Sequence, residues 1–226
     1  INAPIFNDKE RHNVGLLFKQ QSQKLAEQVG AYYANLKKES YLKEFQQLAQ
    51  GKTLIVHCWR GGYRSKAVTA LLNKNDIPAL RLEGGHKAFR KEVYKYLYEQ
   101  PPKLISLSGQ TGTGKSELLE AIIADHPEIP VLHLEEAAQH ASSVFGAARF
   151  GWQEIEKQQI FETRLYMQLL PWIRNGELPT FLTEKESSQI GKLLIPNGIL
   201  TQLKCEEHIQ ITCSTASRVK RLRKEY

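Results

Sequence analysis

The chain has 226 residues, 41% of them hydrophobic and 24% charged, a balance that is typical of globular proteins and excludes a disordered or fibrous class. It has no apolar run of the roughly 18 residues that a membrane helix needs and no signal peptide, and its three cysteines are too few for a disulfide framework, so we expect a cytoplasmic protein without a membrane partner. The net charge of +7 is compatible with a polyanionic partner but does not by itself indicate one.

The first half of the chain predicts helices that alternate with short strands. Apolar residues at helical spacing predict helices over residues 10–38, 41–49, 65–72 and 85–97. Short apolar runs bounded by turn residues predict buried strands over residues 54–56 and 79–82. The chain starts without Met, in a segment typical of the middle of a loop, so we expect material to be missing before Ile1.

The segment Gln100–Pro102 contains two successive prolines and is the best linker signal in the sequence. It predicts a first domain over residues 1–100 and a second over residues 101–226. In the second domain, the predicted strands cover residues 104–107, 131–134, 180–183 and 209–212. The predicted helices cover residues 115–124, from 153 to a bend or end near Pro171, and from 217 onward. Strands alternate with helices in both halves, so we expect two α/β domains; the second is expected to lack its end, because Tyr226 lies inside a helical pattern.

A cysteine-containing loop follows the predicted strand over residues 54–56. It consists of Cys58, five residues, Arg64 and then Ser65, which opens a helix. Glycines let successive backbone amides face one point, and the helix start adds positive potential, so the loop favours a thiolate. Arg64 could add charge or bind an anionic substrate through two hydrogen bonds. A buried structural cysteine is the plainer alternative, but the glycines, the arginines and the immediate helix start favour a reactive thiol.

A second anion-binding loop lies between the predicted strand 104–107 and the predicted helix 115–124. Its sequence matches the pattern G-x-x-x-x-G-K-[ST] in the strand–loop–helix context that this pattern requires. Backbone amides can wrap phosphate oxygens, a lysine supplies a positive charge, and a serine can ligate Mg²⁺. The predicted phosphate-binding residues are Gly109, Gly112, Thr113, Gly114, Lys115 and Ser116.

A carboxylate that helps Ser116 to hold Mg²⁺ is expected at the end of a neighbouring strand. Glu135 and Glu136 follow the predicted strand 131–134, and Glu184 follows the predicted strand 180–183. Either position could hold the metal through water, and a solvated carboxylate at a strand end is the plainer alternative for each. The candidate metal ligands are Ser116, Glu135 and Glu184.

The thiol loop is similar to the loops of two families. A His-Cys pair followed by five residues and Arg resembles the signature of protein tyrosine phosphatases. The segment Cys58–Ser65, with Glu83–Arg90 downstream, more closely resembles rhodanese domains, which carry sulfur or selenium on the cysteine. The phosphatase alternative needs a general-acid Asp on a separate loop, and the sequence offers no convincing one.

The two loops in this order resemble one family, the bacterial tRNA 2-selenouridine synthases, which join a rhodanese domain to a P-loop domain. Further segments similar to this family are Val14–Gln21, Leu134–His140, Ser142–Gly146 and Glu184–Gly191. The resemblance implies a rhodanese-like α/β domain followed by a P-loop NTPase-like α/β domain. We expect both domains to be incomplete, because the family's first strand, its early Asp and Arg positions and the expected end of its P-loop domain are absent. Residues 147–151 depart from the family's pattern.

The resemblance also implies an activity: replacement of sulfur by selenium in the wobble 2-thiouridine of tRNA. The family first geranylates the sulfur with geranyl diphosphate and then introduces selenium from selenophosphate. Cys58 would act as nucleophile or hold selenium as a perselenide, and Arg60 and Arg64 would attract selenophosphate. An enzyme that supplies selenophosphate is a candidate partner. The alternative is a P-loop phosphotransferase or NTPase with a regulatory rhodanese or phosphatase-like module.

Overall fold

A computed structural model describes residues 2–140, 157–205 and 208–225 of the chain. It divides into two compact units, Ile1–Ala88 and Phe89–Tyr226. The family-like segment Ser142–Gly146, the divergent residues 147–151 and the predicted helix start at residue 153 lie outside the described residues.

The first unit opens with three helices: α1 (Asp8–Gln20), α2 (Gln23–Leu36) and α3 (Lys38–Ala49). The prediction that residues 10–38 are mostly helical is confirmed, but the segment forms two helices, because the chain breaks between α1 and α2. The reason is local: the Ser22 side chain accepts a hydrogen bond from the backbone amide of Leu25 and caps a new helix.

Two short parallel strands, β1 (Leu54–Val56) and β2 (Ala79–Arg81), form the sheet of the first unit. Helix α4 (Tyr63–Lys74) connects them, as a parallel pair requires. Their core is small and is built from these buried residues: Ala49, Leu72, Ile77 and Ala79. The strands and α4 were predicted within two residues of their observed bounds, and together they present the thiol loop at the carboxyl end of β1.

The unit boundary falls inside helix α5 (Gly85–Tyr94), earlier than the predicted domain boundary after residue 100. A π-helical turn (Lys95–Glu99) extends this helix. Val93 and Leu97 are completely buried in the core of the second unit. These apolar contacts, which the proline signal cannot report, assign the segment before Pro101 to the second unit.

The sheet of the second unit has β3 (Leu104–Ser108) at its centre. Strands β4 (Phe181–Glu184) and β7 (His208–Gln210) flank it, and both pair with it in parallel. The register places Leu107, the next-to-last residue of β3, opposite Glu184, the last residue of β4. This end of the sheet is where side chains of α/β proteins meet their ligands.

Helices and one hairpin surround this sheet. The helices are α6 (Lys115–Asp125), α7 (Leu134–Ala138), α8 (Gln158–Arg174), α9 (Asn197–Leu203) and α10 (Thr215–Glu225). The hairpin pairs β5 (Gln189–Ile190) with β6 (Leu193–Leu194). Helix α8 passes through Pro171 and ends at Arg174, close to the predicted end. Among the described helices, none combines the length and the apolarity that crossing a bilayer demands.

The strand predicted over residues 131–134 is wrong except for one bridge between Val131 and Leu182. Leu134 instead begins α7, so Glu135 and Glu136 occupy the first turn of a helix rather than a loop after a strand. Acidic residues stabilise the first turn of a helix, and Glu and Ala have high helix propensity, which explains the difference.

Glu162 is a buried carboxylate in the second unit, only 5% exposed. Arg90 forms an ion pair with it, and the hydroxyl of Tyr98 and the amide of Gln158 donate hydrogen bonds to its Oε1 at 2.8 and 3.1 Å. Burial and the adjacent carboxylate raise the pKa of Tyr98 above its usual value. The charge of Glu162 is therefore compensated, as a buried carboxylate requires.

Adjacent leucines in β6 provide a test of which face of the hairpin supports the core. Leu193 is 4% exposed and Leu194 is 59% exposed. We expect Leu193→Ala to lower the free energy of unfolding by about 2–5 kcal/mol, because it removes buried methyl groups and leaves a cavity. Leu194→Ala should change it by less than about 0.5 kcal/mol. Urea denaturation followed by circular dichroism measures both; equal effects would contradict the described burial.

Candidate functional site

The thiol loop, residues 57–65, surrounds Cys58 with hydrogen-bond donors. The Sγ atom lies 3.3 Å from the Ser65 hydroxyl oxygen. Partial burial disfavours the charged thiolate, but the Ser65 hydroxyl and the backbone amides of Ser65, Gly62 and Arg60 outweigh it and lower the pKa of Cys58 to about 7. Near neutral pH, the cysteine is therefore present as thiolate to a large extent.

Ser65 has a single hydroxyl proton and two acceptors for it. Its hydroxyl donates to the Gly62 carbonyl at 3.1 Å while its oxygen faces Cys58. When the thiol is neutral, the S–H can donate to the hydroxyl oxygen. When the thiolate forms, the hydroxyl can turn and donate to sulfur. Ser65, which the sequence offered only as a helix start, therefore supports the thiolate directly.

Two glycines allow the thiol loop to lie against the start of α5. A Cβ on Gly85 would lie 2.2 Å from the Cys58 carbonyl oxygen, and one on Gly61 would lie 2.6 Å from the Gly85 nitrogen. The amides of His86 and Lys87 donate to the carbonyls of Cys58 and Trp59 at 3.0 and 2.8 Å. The Gly84–Gly85 turn is thus a structural clamp on the loop.

Charged side chains lie on and around this loop. Arg81 of β2 donates to the Gly61 carbonyl at 2.9 Å and braces the loop, a role that the sequence did not indicate. The guanidinium groups of Arg60 and Arg64 are exposed and make no hydrogen bond or ion pair to any described residue. They are available to an anion that approaches Cys58.

Trp59 and His86 form an aromatic contact beside the thiol loop. Their ring centroids are 5.4 Å apart, and the ring of His57 also stacks on His86, at 6.0 Å. Trp59 nevertheless remains more than half exposed. Its indole is held by packing and also presents a face to solvent.

The phosphate loop, Gly109–Ser116, joins the end of β3 to the start of α6. Gly112 and Gly114 have positive φ angles of 80° and 93°, conformations that glycine adopts at little cost. Gly109 must be glycine for a different reason, which is the lack of space for a side chain. A Cβ there would lie 2.6 Å from the carbonyl oxygen of Ile211, just after β7. Lys115 begins α6, and its ammonium group donates to the Gly109 carbonyl at 2.9 Å across the loop.

The three candidate metal ligands are linked by hydrogen bonds. The Ser116 hydroxyl donates to Glu135 Oε2 at 3.2 Å, and the backbone amide of Glu135 donates to Glu184 Oε1 at 2.7 Å. Glu184 is 1% exposed, and its second oxygen has no partner among the described residues. Glu136, the alternative to Glu135, is exposed and does not join this chain of contacts.

His133 lies behind Glu184 and was not singled out in the sequence. Its Nδ1 is 3.3 Å from Glu184 Oε1 and 3.3 Å from the Glu136 amide nitrogen. When Nδ1 is protonated it can donate to Glu184, and when Nδ1 is unprotonated it can accept from the Glu136 amide. Burial alone would lower the pKa of His133, but Glu184, with smaller contributions from Glu136 and Glu135, raises it. A protonated His133 would compensate the buried carboxylate.

Helix α10 also contacts the phosphate loop. Arg218 donates to the Thr111 carbonyl at 2.9 Å and to the side chain of Gln110, and Arg221 forms an ion pair with Glu117 at 3.0 Å. The sequence predicted only a helix from residue 217 onward and gave these arginines no role at the phosphate loop. The described residues contain no cluster of three or more His, Cys, Asp or Glu side chains that could hold a metal.

A glycine-rich loop between a central parallel strand and a helix, with Lys and Ser at the helix start, defines the second unit as a P-loop α/β domain. The family model for the AAA domain of tRNA 2-selenouridine synthase matches residues 102–226. The chain therefore belongs to the tRNA 2-selenouridine synthase family.

Curated relatives share sequence along the whole chain. The tRNA 2-selenouridine synthase of Nitrosomonas europaea is 31% identical over all of this chain and 58% of its own length. Those of Hydrogenovibrio crunogenus and Bdellovibrio bacteriovorus are 29% and 31% identical, over 100% and 93% of this chain and 62% and 55% of their own lengths. The chain thus spans somewhat more than half the length of these relatives.

One solved structure matches part of the chain. It is the crystal structure of the N-terminal domain of a candidate ATP/GTP-binding protein from Clostridium difficile 630. The two are 34% identical, and the match covers 41% of this chain and 73% of that one with a TM-score of 0.39.

The pKa of Cys58 can be tested by its rate of alkylation. In the intact chain, the rate of modification of Cys58 by iodoacetamide should rise with pH through a midpoint near 7, because the thiolate is the nucleophile. Ser65→Ala should move the midpoint upward, toward the value of about 8.5 of a free cysteine. Mass spectrometry of the Cys58 peptide measures the rate at each pH.

Thr69→Val is the matched control for Ser65→Ala, because it removes a buried hydroxyl from the same helix. The Thr69 hydroxyl has no hydrogen-bond partner among the described residues. The control should leave the midpoint unchanged. A midpoint near 8.5 in the unmutated chain, or equal shifts in both variants, would contradict the role of Ser65.

Adjacent glycines test the clamp on the thiol loop. Gly61 has a φ of 64° and no room for a Cβ, whereas Gly62 has a φ of −85° and nothing within 4 Å of a Cβ. Gly61→Ala should destabilise the chain by about 1–2 kcal/mol from the left-handed backbone alone, with the clash against Gly85 in addition. Gly62→Ala should have little effect. Thermal denaturation measures stability, and similar losses in the two variants would refute the clamp.

Proposed function

We propose that the chain contributes both loops of an enzyme that replaces sulfur by selenium in the wobble 2-thiouridine of tRNA. The observation that carries this proposal is the presence, in a chain of the tRNA 2-selenouridine synthase family, of a thiol loop that favours the thiolate and a complete phosphate loop. In this proposal the thiol loop binds and transforms a chalcogen-bearing group, and the phosphate loop binds a polyphosphate.

The phosphate loop is proposed to bind geranyl diphosphate. Backbone amides of residues 110–116 and the ammonium group of Lys115 would hold the diphosphate; Lys115 would exchange its internal bond to the Gly109 carbonyl for a phosphate oxygen. The thiocarbonyl sulfur of the uridine attacks C1 of the geranyl group. The C–O bond breaks, diphosphate leaves with the electron pair, and the base loses its N3 proton.

Mg²⁺ fits the chemistry of the residues beside this loop. Mg²⁺ prefers oxygen ligands and usually takes one or two carboxylates together with phosphate oxygens and water. The Ser116 hydroxyl and the Glu135 carboxylate would hold it, with Glu184 behind them. When bound, the ion would neutralise negative charge on the departing diphosphate. The unpartnered Glu184 oxygen supports a function for this carboxylate beyond packing.

Cys58 is proposed to act as the nucleophile of the second stage. Its thiolate attacks C2 of the geranylated base, a C2–S bond forms, and geranylthiol leaves after taking a proton. Selenide, released from selenophosphate as water cleaves the P–Se bond, then attacks C2 and expels the thiolate. Selenophosphate carries selenium already at the selenide level, so this route needs no oxidant, whereas a perselenide on Cys58 would. Arg60 and Arg64 would attract the phosphoryl end.

The proposed partners follow from these substrates. A tRNA with a wobble 2-thiouridine is the macromolecular substrate, and the net charge of +7 favours its phosphate backbone. An enzyme that makes selenophosphate would supply the second stage. A rhodanese-type first domain and a cytoplasmic location belong to the same proposal.

A P-loop NTPase with a regulatory thiol module is the second candidate. The complete phosphate loop favours it, because the same amides and lysine can bind a nucleoside triphosphate. ATP hydrolysis that is abolished by Lys115→Ala and independent of tRNA would support this candidate over the first.

The two stages can be separated with variants of the full-length protein. With thiolated tRNA, geranyl diphosphate and selenophosphate, Cys58→Ser should lower selenation at least about a hundredfold and leave geranylation intact. Lys115→Ala should slow geranylation about tenfold or more, because a charged hydrogen-bond donor is lost. Nucleoside mass spectrometry measures both products. Cys205→Ser, at an exposed cysteine, and Lys192→Ala, at an exposed lysine, are the matched controls.

The outcomes decide between the proposed roles. Neither product in the unmutated protein would overturn the proposed function. Equal loss of both products in Cys58→Ser would show that the stages are not divided between the loops in the proposed way.

A further inference from the structure

Helix α10 lies directly against the phosphate loop. A Cβ on Gly112 would lie 3.1 Å from the Arg218 carbonyl oxygen and 3.1 Å from Leu222 Cγ, and one on Gly114 would lie 3.2 Å from Arg221 Nε. The Cys213 thiol, just before α10, is 4.0 Å from the Gly112 carbonyl oxygen. The two glycines with positive φ are therefore also places where the helix packs closely against the loop.

Arg218 holds two successive residues of the loop with one guanidinium group. Its Nε donates to the Thr111 carbonyl at 2.9 Å, and its Nη1 donates to the side-chain oxygen of Gln110. A bound phosphate accepts hydrogen bonds from the amide N–H groups of such a loop. Arg218 uses a carbonyl and a side chain, so it stabilises the loop without competing for the groups that a phosphate needs.

Arg221 connects α10 to the helix that follows the loop. Its Nε donates to Glu117 Oε2 at 3.0 Å, and its Nη1 donates to Cys213 Sγ at 3.6 Å. Glu117 lies in the first turn of α6, next to Lys115 and Ser116. Both partners of this ion pair are substantially exposed, so the pair by itself stabilises little. It adds to the contact that Arg218 makes.

We propose that Arg218 and Arg221 are positioning residues of the phosphate loop. They fix residues 110–114 in the binding conformation before a phosphate arrives, so that binding does not have to order a glycine-rich segment. The inference deepens the proposed function, since it takes the loop to be the diphosphate site. It assigns the two arginines to the loop, whereas Lys220 and Arg223 are exposed on the same helix.

The main test measures the affinity of the intact chain for inorganic pyrophosphate with Mg²⁺ by titration calorimetry. Arg218→Ala should raise Kd about threefold to tenfold, the effect of losing a charged hydrogen bond in a partly exposed place. Arg221→Ala should raise it less. Arg218→Lys keeps the charge but cannot hold both partners, so it should recover the affinity only in part.

Arg223→Ala is the matched control, because it removes the same charge and the same residue type from the same helix. It should leave Kd unchanged. If Arg223→Ala weakens binding as much as Arg218→Ala, the effect is one of net charge and the positioning inference is overturned. The Arg218→Ala loss should persist at high salt, where a long-range charge effect is screened.

Hydrogen exchange tests the loop without reference to any ligand. In the free protein, amides of residues 110–114 should exchange about threefold to tenfold faster in Arg218→Ala and at the original rate in Arg223→Ala. Faster exchange throughout the chain would indicate that Arg218→Ala unfolds the protein. Arg221→Ala, which loses an exposed ion pair and the contact with Cys213, then replaces Arg218→Ala in the comparison. Unchanged loop exchange in both Arg218→Ala and Arg221→Ala overturns the inference.

The failure of the proposed function has a different signature. If the proposed function is wrong, the unmutated chain does not bind pyrophosphate, or Lys115→Ala binds it with the same Kd. In either case the hydrogen-exchange rates still test whether Arg218 and Arg221 position the loop. In the unmutated chain, pyrophosphate should in turn slow exchange in residues 215–223, because coupling between two sites is reciprocal.

Discussion

The second unit depends on the parallel pairing of β3 with β4. This register places Glu184 beside Leu107, the next-to-last residue of the strand that leads into the phosphate loop. A slip by one residue would turn Glu184 to the other face of the sheet and break its bond to the Glu135 amide. The path from Ser116 through Glu135 to Glu184 thus exists because two strands, far apart in sequence, align at one position.

The thiol loop and the phosphate loop both direct backbone amides at an anion, but different contacts hold the two loops in place. Each exposes backbone amides to an anion, a thiolate in one and a phosphate in the other. The thiol loop is braced by the close approach of Gly61 to Gly85 and by Arg81. The phosphate loop is braced by side chains of α10. In both cases the donors are arranged by contacts that do not use the anion-binding groups themselves.

Local patterns in the sequence predicted the parts of the fold that local interactions determine. The strands β1 and β3, helix α6 and the positions of both loops follow from short apolar runs, glycines and helix starts. The same reasoning placed Ser116, Glu135 and Glu184 as candidates for one site, and the structure brings them into a hydrogen-bonded series.

The errors come from interactions that span long separations. Residues 131–134 have the pattern of a strand, yet only Val131 among them forms a β-bridge with β4, and the acidic residues that follow favour a helix. The roles of His133, Arg81 and Arg218 depend on partners 20 to more than 100 residues away. No local pattern marks such pairs, because a histidine or an arginine at these positions could equally face solvent.

The buried carboxylate Glu162 has a consequence for dividing the chain. Its partners Arg90 and Tyr98 precede the prolines at 101 and 102, and so do the core residues Val93 and Leu97. A fragment that starts at Pro102, where the family match begins, would leave Glu162 without its cation and open a gap in the hydrophobic interior. A second unit cut from the chain at the two prolines should therefore be insoluble or only partly folded. A fragment that retains α5 keeps Arg90, which neutralises the charge of Glu162.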